Sequence, residues 1–263
     1  MADLIIKPNS ATGDKLILQD RAGGAVLTTA DSGVTITNST LVAPALGTVT
    51  SGNLSNANIV GTGGLKSMQV FTSSGTWTKP AGVNTIKVYV TGGGGGGGGA
   101  NANDLGAGGG AGGTAIEIID VTSVSSVSVT IGTGGAGATG SVQGTTGVTS
   151  SFGSYCSAAG GQGGRYGNAG PVYGGAGGVA TGGQLNLPGG MGTNGQDNVF
   201  DSSYESSFGQ GGASFWGGGG RGSTDTDQSP NATCYGAGAG GGAEDRPQAG
   251  AGAAGVCVIE EYR

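Results

Sequence analysis

With 263 residues, a net charge of −6 and no histidine, the chain excludes several function classes at once. Nucleic-acid binding needs clustered Lys and Arg against phosphate, and beyond Lys87 the only basic residues are Arg165, Arg221, Arg246 and Arg263. The commonest general base and the commonest zinc ligand are also missing. Charged residues are 10% of the chain and apolar residues 35%, a balance that favours folding over disorder.

Residues 1–40 read as short strands separated by turns. Leu4 to Ile6 is a first apolar run, and the opening MADLIIKPNSATGDK lacks the basic-then-apolar order of a signal peptide. Lys15 to Asp20, Ala25 to Thr29 and Val34 to Thr37 are the next runs, punctuated by Ala22 to Gly24 and Asp31 to Gly33. These strands hold few large side chains, and so small a sheet buries too little surface alone. Packing of several copies around an axis would supply the missing core. Residues 41–64 read as an extended connector, with Leu46, Val49, Leu54 and Ile59 as isolated apolar residues and Gly61 to Gly64 as a hinge.

The second domain, 65–263, opens with strand signals at Met68 to Thr72, Thr76 to Lys79 and Thr85 to Val90. In the last of these Ile86, Val88 and Val90 share one face. Further strands are expected at Thr114 to Val121, Val124 to Ile131, Val148 to Phe152, Tyr155 to Ala159 and Gly255 to Glu260. No helical period persists for three turns, so the fold class is all-β: short N-terminal strands, then a jelly-roll-like β-sandwich closed by its own C-terminus. Residues 160–250 read as an insertion before the final strand.

The glycine tracts are the feature to be explained. Of 65 glycines, 54 lie in residues 91–255, beginning with the eight from Gly92 to Gly99. Glycine loses the most backbone freedom on ordering and has no side chain to bury, and fixing each residue costs roughly 1–2 kcal/mol. Collagen requires glycine at every third position, a period the interrupted stretches do not keep. A flexible linker needs only one such tract. GxGxxG-like strings such as Gly108 to Gly113 are not followed by Lys-Ser or Lys-Thr and open no helix, so they are not phosphate loops. Polyglycine-II strands remain. Packed side by side, their N–H and C=O groups pair with neighbours, each bond netting roughly 0.5–1.5 kcal/mol, and any interior side chain forces the strands apart. Gln162, Gln210 and Arg221 interrupt tracts and should face outward.

Larger residues concentrate between the tracts. Tyr166, Tyr173, Phe200, Tyr204, Phe208, Phe215, Trp216 and Tyr235 all fall in such loops. Aromatic side chains give large contact area at low entropic cost and stack on sugars, so these eight are the candidate receptor-binding residues. The alternative for each is local capping of the slab. Asp225 to Asp227 and the set Asp197, Asp201 and Glu205 read as solvated acidic loops, with Ca²⁺ binding through oxygen ligands as the alternative. Cys156, Cys234 and Cys257 form no CxxC pair and read as small buried hydrophobes. No nucleophile–base pair is visible, so no enzyme activity and no cofactor are expected, and no stretch approaches the ~18 apolar residues that span a bilayer.

Two stretches carry a resemblance. Ala43 to Ala57 (APALGTVTSGNLSNA) resembles a segment frequent in tailed-phage fibre and tail proteins. Phe71 to Val83 (FTSSGTWTKPAGV), Ile86 to Val90 (IKVYV), the glycine tract that follows and the terminal Gly255 to Tyr262 (GVCVIEEY) are similar to the glycine-rich domain of phage tail fibres. The middle resembles the glycine-rich adhesins at the tips of T-even-type long tail fibres, in which polyglycine-II sandwiches display receptor-binding loops. The resemblance implies a homotrimeric virion protein, made in the host cytoplasm. It would attach to other tail or baseplate proteins through residues 1–40 and bind a host-surface glycan or outer-membrane protein through its loops. A structural spacer without receptor binding is the alternative function, and a capsule depolymerase a more remote one.

Overall fold

The computed structural model describes residues 17–19, 25–30, 33–35, 64–100, 105–166, 172–195, 209–224, 227–243 and 247–263. The chain divides into two compact units, Met1–Asn58 and Ile59–Arg263. In the first, β1 (Ile17–Gln19), β2 (Ala25–Ala30) and β3 (Gly33–Thr35) pair antiparallel in that order. Leu18 opposes Leu27 and Thr29 opposes Val34. The run at Leu4 to Ile6 and the connector as far as residue 63 lie outside the described residues.

The second unit is all-β among its described residues. Its strands are β4 (Leu65–Phe71), β5 (Gly75–Thr78), β6 (Thr85–Thr91), β7 (Thr114–Asp120), β8 (Ser126–Thr130), β9 (Ser150–Phe152), β10 (Cys156–Ala158), β11 (Ala180–Thr181), β12 (Leu185–Leu187) and β13 (Val256–Tyr262). They make two five-stranded antiparallel sheets, β12-β7-β6-β13-β4 and β11-β10-β9-β8-β5. The sheets pack face to face over Trp77, Val83, Ile86, Val88, Val90, Ile119, Val127, Val129, Phe152, Cys156 and Ile259. Period-2 alternation sets this core: along β6, Ile86, Val88 and Val90 are buried while Lys87 and Tyr89 are half-buried on the opposite face. The C-terminal β13 pairs with β6 on one side and β4 on the other, so the end of the chain stitches its beginning into the sheet.

The core also buries a carboxylate. Glu261 is fully buried on β13 and accepts hydrogen bonds from Trp77 Nε1 at 2.8 Å, Gln69 Nε2 at 2.7 Å and Ser67 Oγ. Trp77 belongs to the other sheet, so this cluster ties the two layers together. Trp77 also packs on Phe152 with ring centroids 6.0 Å apart.

Eight of the expected strands of this unit are present. Within the 160–250 insertion, for which no strand is expected, lies β12, whose Leu185, Asn186 and Leu187 oppose Ile116, Ala115 and Thr114 of β7. Three residues are too few to display a period, and the pairing comes from the neighbouring strand. The sandwich framework therefore reaches into 160–250 through β11 and β12.

The glycine tracts are continuations of the β-strands. β6 runs out as 92–100, and 105–113 returns into β7; β8 runs out as 131–139, and 142–149 returns into β9; β10 runs out as 159–165. Nine successive N–H groups, from Gly92 to Ala100, donate in rotation to three neighbours. Gly92, Gly95 and Gly98 bond to the carbonyls of Gly113, Gly110 and Ala107; Gly93, Gly96 and Gly99 to Val148, Thr145 and Val142; Gly94, Gly97 and Ala100 to Ala253, Gly250 and Pro247. This is the three-residue turn of polyglycine II. The carbonyls of the same tract accept from three further tracts, through Gly161 and Gly164, Gly135 and Ala138, and Ala239 and Gly242. Gly92 to Gly99 is thus a central strand with six neighbours. The return strand 105–113 is likewise surrounded, bonding to tracts around Gly242, Arg165, Thr193, Gly175 and Gly212 as well as to 92–100.

Close approach explains the composition. A Cβ built at any position from Gly92 to Gly99 would lie 1.9–2.3 Å from a backbone oxygen of an adjacent tract. Alanine methyls are accommodated at Ala107, Ala111, Ala237 and Ala239, all fully buried. Gln162, Gln210 and Arg221 are exposed, as the packing requires.

Candidate functional site

The array has two ends. The near end abuts the sandwich, where Thr91, Thr114 and Val256 hand over from strand to tract. At polyglycine-II rise the far end of 92–100 is about 25 Å away.

The structure separates the candidate aromatic residues between these ends. Phe215 and Trp216 form the two central residues of a tight turn closed by Ser214 and Gly217, whose N–H and C=O groups exchange bonds of 2.9 and 3.4 Å. This turn is at the near end. The Trp216 indole N–H donates to Thr91 Oγ1 at 2.8 Å, and Thr91 in turn is 2.9 Å from Thr114 Oγ1. The two rings meet edge to face at 5.0 Å, and both lie about 6 Å from the Tyr89 ring. Trp216 therefore serves as an anchor of the array on the outer face of β6, while Phe215 remains half exposed. Tyr235 also sits at the near end, half exposed, beside Gly236, whose φ of +71° and approach to Gly92 O suit glycine.

Tyr166 and Tyr173 lie at the far end. The Arg165 N–H donates to Tyr173 O at 3.3 Å, and the Arg165 guanidinium lies 5.6 Å from the Tyr173 ring centroid. Tyr173 is 53% exposed. Beneath it Val172 is buried, Gly195 donates to Val172 O at 2.9 Å, and Gly174 donates to Asn194 Oδ1 at 3.0 Å. The pair is a cation–aromatic step with an open ring face, held by backbone bonds on both sides. Phe200, Tyr204 and Phe208 lie outside the described residues, as do Asp197, Asp201, Glu205 and Asp225. Asp227 is at the far end and pairs with Arg221 at 3.3 Å on the surface.

The family comparison concerns the same span. A family whose description reads glycine-rich domain matches residues 69–262. The chain belongs to this glycine-rich domain family. No curated protein matches it. The matched span of the glycine-rich domain runs from β4 to the end of β13, so it includes both the sandwich and the array.

Sequence reading missed the outer face of the β12-β7-β6-β13-β4 sheet. Leu65, Met68, Val70, Ile118 and Leu185 are each half or more exposed there. The signal was present in TAIEIID, where Ile116 and Ile118 alternate with Ala115 and Ile119, so that both faces of β7 are apolar.

The cysteines carry no site. Burial pushes the Cys156 thiol up to about 11, with Glu117 adding to the shift, and burial raises Cys257 further. Below pH 9 both thiols are protonated in either state; above it the unfolded chain ionises first, so native stability falls as pH rises towards 11. Cys234 is only half buried. At pH 8, iodoacetamide is expected to modify Cys234 alone in the native glycine-rich domain, with Cys156 and Cys257 reacting only on unfolding. Peptide mass mapping before and after denaturation checks this, and fast labelling of Cys257 would contradict the core described here.

Proposed function

We propose that this protein is a virion tail-fibre protein of a tailed phage. Its glycine array is a rigid support that presents loops at the far end to a host-surface glycan or outer-membrane protein. The observation that carries the reading is the six-neighbour packing of Gly92 to Gly99. A strand with every interior N–H bonded in rotation to three neighbours cannot bend independently of them, so the described residues at its far end, Arg165 and Tyr173 among them, are held in place. Contact residues held in this way lose less entropy on binding.

Polarity supports the same reading. The described part of the second unit begins at Gly64, and Leu65 is paired with Tyr262. That edge of the sandwich is opposite the one from which Thr91 and Val256 enter the array. Leu65 and the Arg165–Tyr173 pair are therefore at opposite ends of the second unit, as a recognition element on a fibre needs. Residues 1–40 are proposed to attach it to other tail or baseplate proteins.

The Arg165–Tyr173 step and Tyr166 are the proposed contact residues at the far end. An exposed ring backed by a cation offers one face for stacking on a sugar ring or on an aliphatic patch of protein. Labelled full-length protein is to be tested on an array of bacterial surface glycans and on outer-membrane vesicles. Replacing Tyr166 and Tyr173 together by serine is expected to lower binding on the order of tenfold or more. Phe215→Ser, at the opposite end, is expected to leave binding unchanged. Binding indifferent to the Tyr166 and Tyr173 changes rules out this tip, and no binding to any surface component favours a passive spacer.

A further inference from the structure

Between Asp120 and Asp197 the sequence carries a single charged residue, Arg165. That stretch supplies the tracts 131–139, 142–149, 159–165, 172–179 and 189–195. Arg165 is exposed at the far end of 159–165. Its N–H donates to Tyr173 O, and the Gly195 N–H donates to Val172 O, so 159–165, 172–179 and 189–195 end side by side. Their ends set a cation, a ring and an amide in a row: Arg165, Tyr173 and Asn194. Asn194 Oδ1 accepts from the Gly174 N–H at 3.0 Å, which leaves the two Nδ2 donors with no partner among the described residues. Arg165 likewise meets no carboxylate among the described residues, whereas Arg221 is paired with Asp227. The guanidinium lies 5.6 Å from the centre of the Tyr173 ring, farther than the about 3.5–4.0 Å of a stacked contact, so neither group covers the other.

We propose that this row binds an acidic glycan through a sugar carboxylate, an inference that rests on the receptor-binding reading above and names the class of sugar. The apolar face of the sugar stacks on the exposed Tyr173 ring. Its carboxylate accepts two hydrogen bonds from the Arg165 guanidinium, and Asn194 Nδ2 donates to a hydroxyl on the other side. The spacing allows this. A ring carboxylate stands about 3 Å from the centre of its sugar, and charge-assisted N–H···O contacts run about 2.8 Å. A sugar centred on the Tyr173 ring therefore brings its carboxylate within reach of a guanidinium 5.6 Å from that centre.

Charge selects the carboxylate over the alternatives. A guanidinium presents a planar fork that matches a planar carboxylate with two parallel bonds. A phosphate group brings up to two charges and three acceptor oxygens, and this row offers one cation. A neutral sugar would use the ring and the amide and leave the guanidinium without a role. The tracts from 131–139 to 189–195 carry no acid to repel a bound carboxylate, although the chain as a whole has a net charge of −6. The backbone bonds on both sides of Tyr173 fix the row before the sugar arrives, so the ligand does not have to order it.

The test measures binding of the full chain to immobilised oligohexuronates, to the same oligosaccharides with their carboxyl groups reduced to alcohols, to phosphorylated oligosaccharides, and to outer-membrane vesicles before and after protease digestion. The acidic form is expected to bind at least tenfold more tightly than its reduced counterpart, with the difference shrinking between about 50 and 500 mM salt. Arg165→Gln is expected to abolish that preference while retaining the weaker binding of the reduced form, and Arg165→Lys to keep only part of it, because lysine holds the charge without the fork. Asn194→Asp keeps the acceptor for the Gly174 N–H and sets a second carboxylate beside the ligand, so it is expected to weaken the acidic form selectively. Tyr173→Ser is expected to weaken both forms. Equal binding of the acidic and reduced forms, a preference for the phosphorylated sugars, a preference that survives Arg165→Gln, or vesicle binding that protease removes would each overturn the acidic-glycan assignment and leave the receptor-binding reading standing. Failure to bind any of these surfaces would overturn both.

Discussion

Replacing Gly96 by alanine is expected to lower the melting temperature by about 10 °C or more, although it adds a single methyl group. The new Cβ would lie 2.0 Å from Ala136 O, 2.4 Å from its carbonyl carbon and 2.8 Å from Gly137 N. All three are backbone atoms of a tract that is itself bonded: the N–H of Thr145 donates to Ala136 O and that of Ala138 to Gly97 O. No side chain can rotate away to make room. Overpacking by one methyl group in an ordinary core costs typically about 1–3 kcal/mol. Here relief requires two strands to separate, and each main-chain bond lost adds about 1 kcal/mol. The sum is about 4 kcal/mol or more, and in a domain of this size each kilocalorie corresponds to about 2–4 °C. Gly218→Ala is the control, because nothing lies within 4 Å of a Cβ at that position. Calorimetry on both variants is the check. If Gly96→Ala melts with Gly218→Ala, the central strand is not packed as described, and the support for display loops is lost with it.

Replacing Glu261 by alanine is expected to cost about 4 kcal/mol, the second largest effect. The substitution removes the acceptor of three donors, Trp77 Nε1, Gln69 Nε2 and Ser67 Oγ, in a fully buried position. Each donor left unpaired away from water costs about 1–3 kcal/mol, and the vacated volume adds a cavity term. Glu261→Gln keeps the shape and one carbonyl acceptor, so it should cost less than half as much. Trp77→Phe removes one donor from the cluster and leaves the other two bonded, and should fall between the two. Urea unfolding followed by tryptophan fluorescence measures the two Glu261 variants, and circular dichroism the third. A Glu261→Ala variant as stable as the native chain would mean that the two sheets are not linked through this carboxylate.

Both effects come from positions whose importance was unevenly visible in the sequence. The tract Gly92 to Gly99 announces a site where no side chain is tolerated, and the reason, backbone against backbone, follows from glycine chemistry. Glu261 gives no such sign. In GVCVIEEY it reads as one of two adjacent acids near a chain end, and the register alone sends Glu260 outward and Glu261 into the core. The strand Thr85–Thr91 was legible from its alternation. Leu185–Leu187 was not, because it is an edge strand of three residues whose ladder is supplied by β7.

The candidate aromatics show the same division. Composition puts Tyr166, Tyr173, Phe215, Trp216 and Tyr235 outside the tracts, and the structure agrees. It does not put Trp216 under a hydrogen bond to Thr91, 125 residues away in sequence, or Tyr173 at the other end of the array.

What can be read without coordinates is local: all-β alternation, tracts that must exclude side chains, and bulky residues confined to the turns. Partner choice is another matter. A polyglycine-II strand makes no hydrogen bonds within itself, so all of its pairing is with distant tracts, as when Gly94 donates to Ala253. Tracts of nearly identical composition leave no mark of which neighbour each will take. The hexagonal order, and with it the end of the array at which each loop emerges, is therefore set by how the β-strands feeding the tracts are ordered in the two sheets.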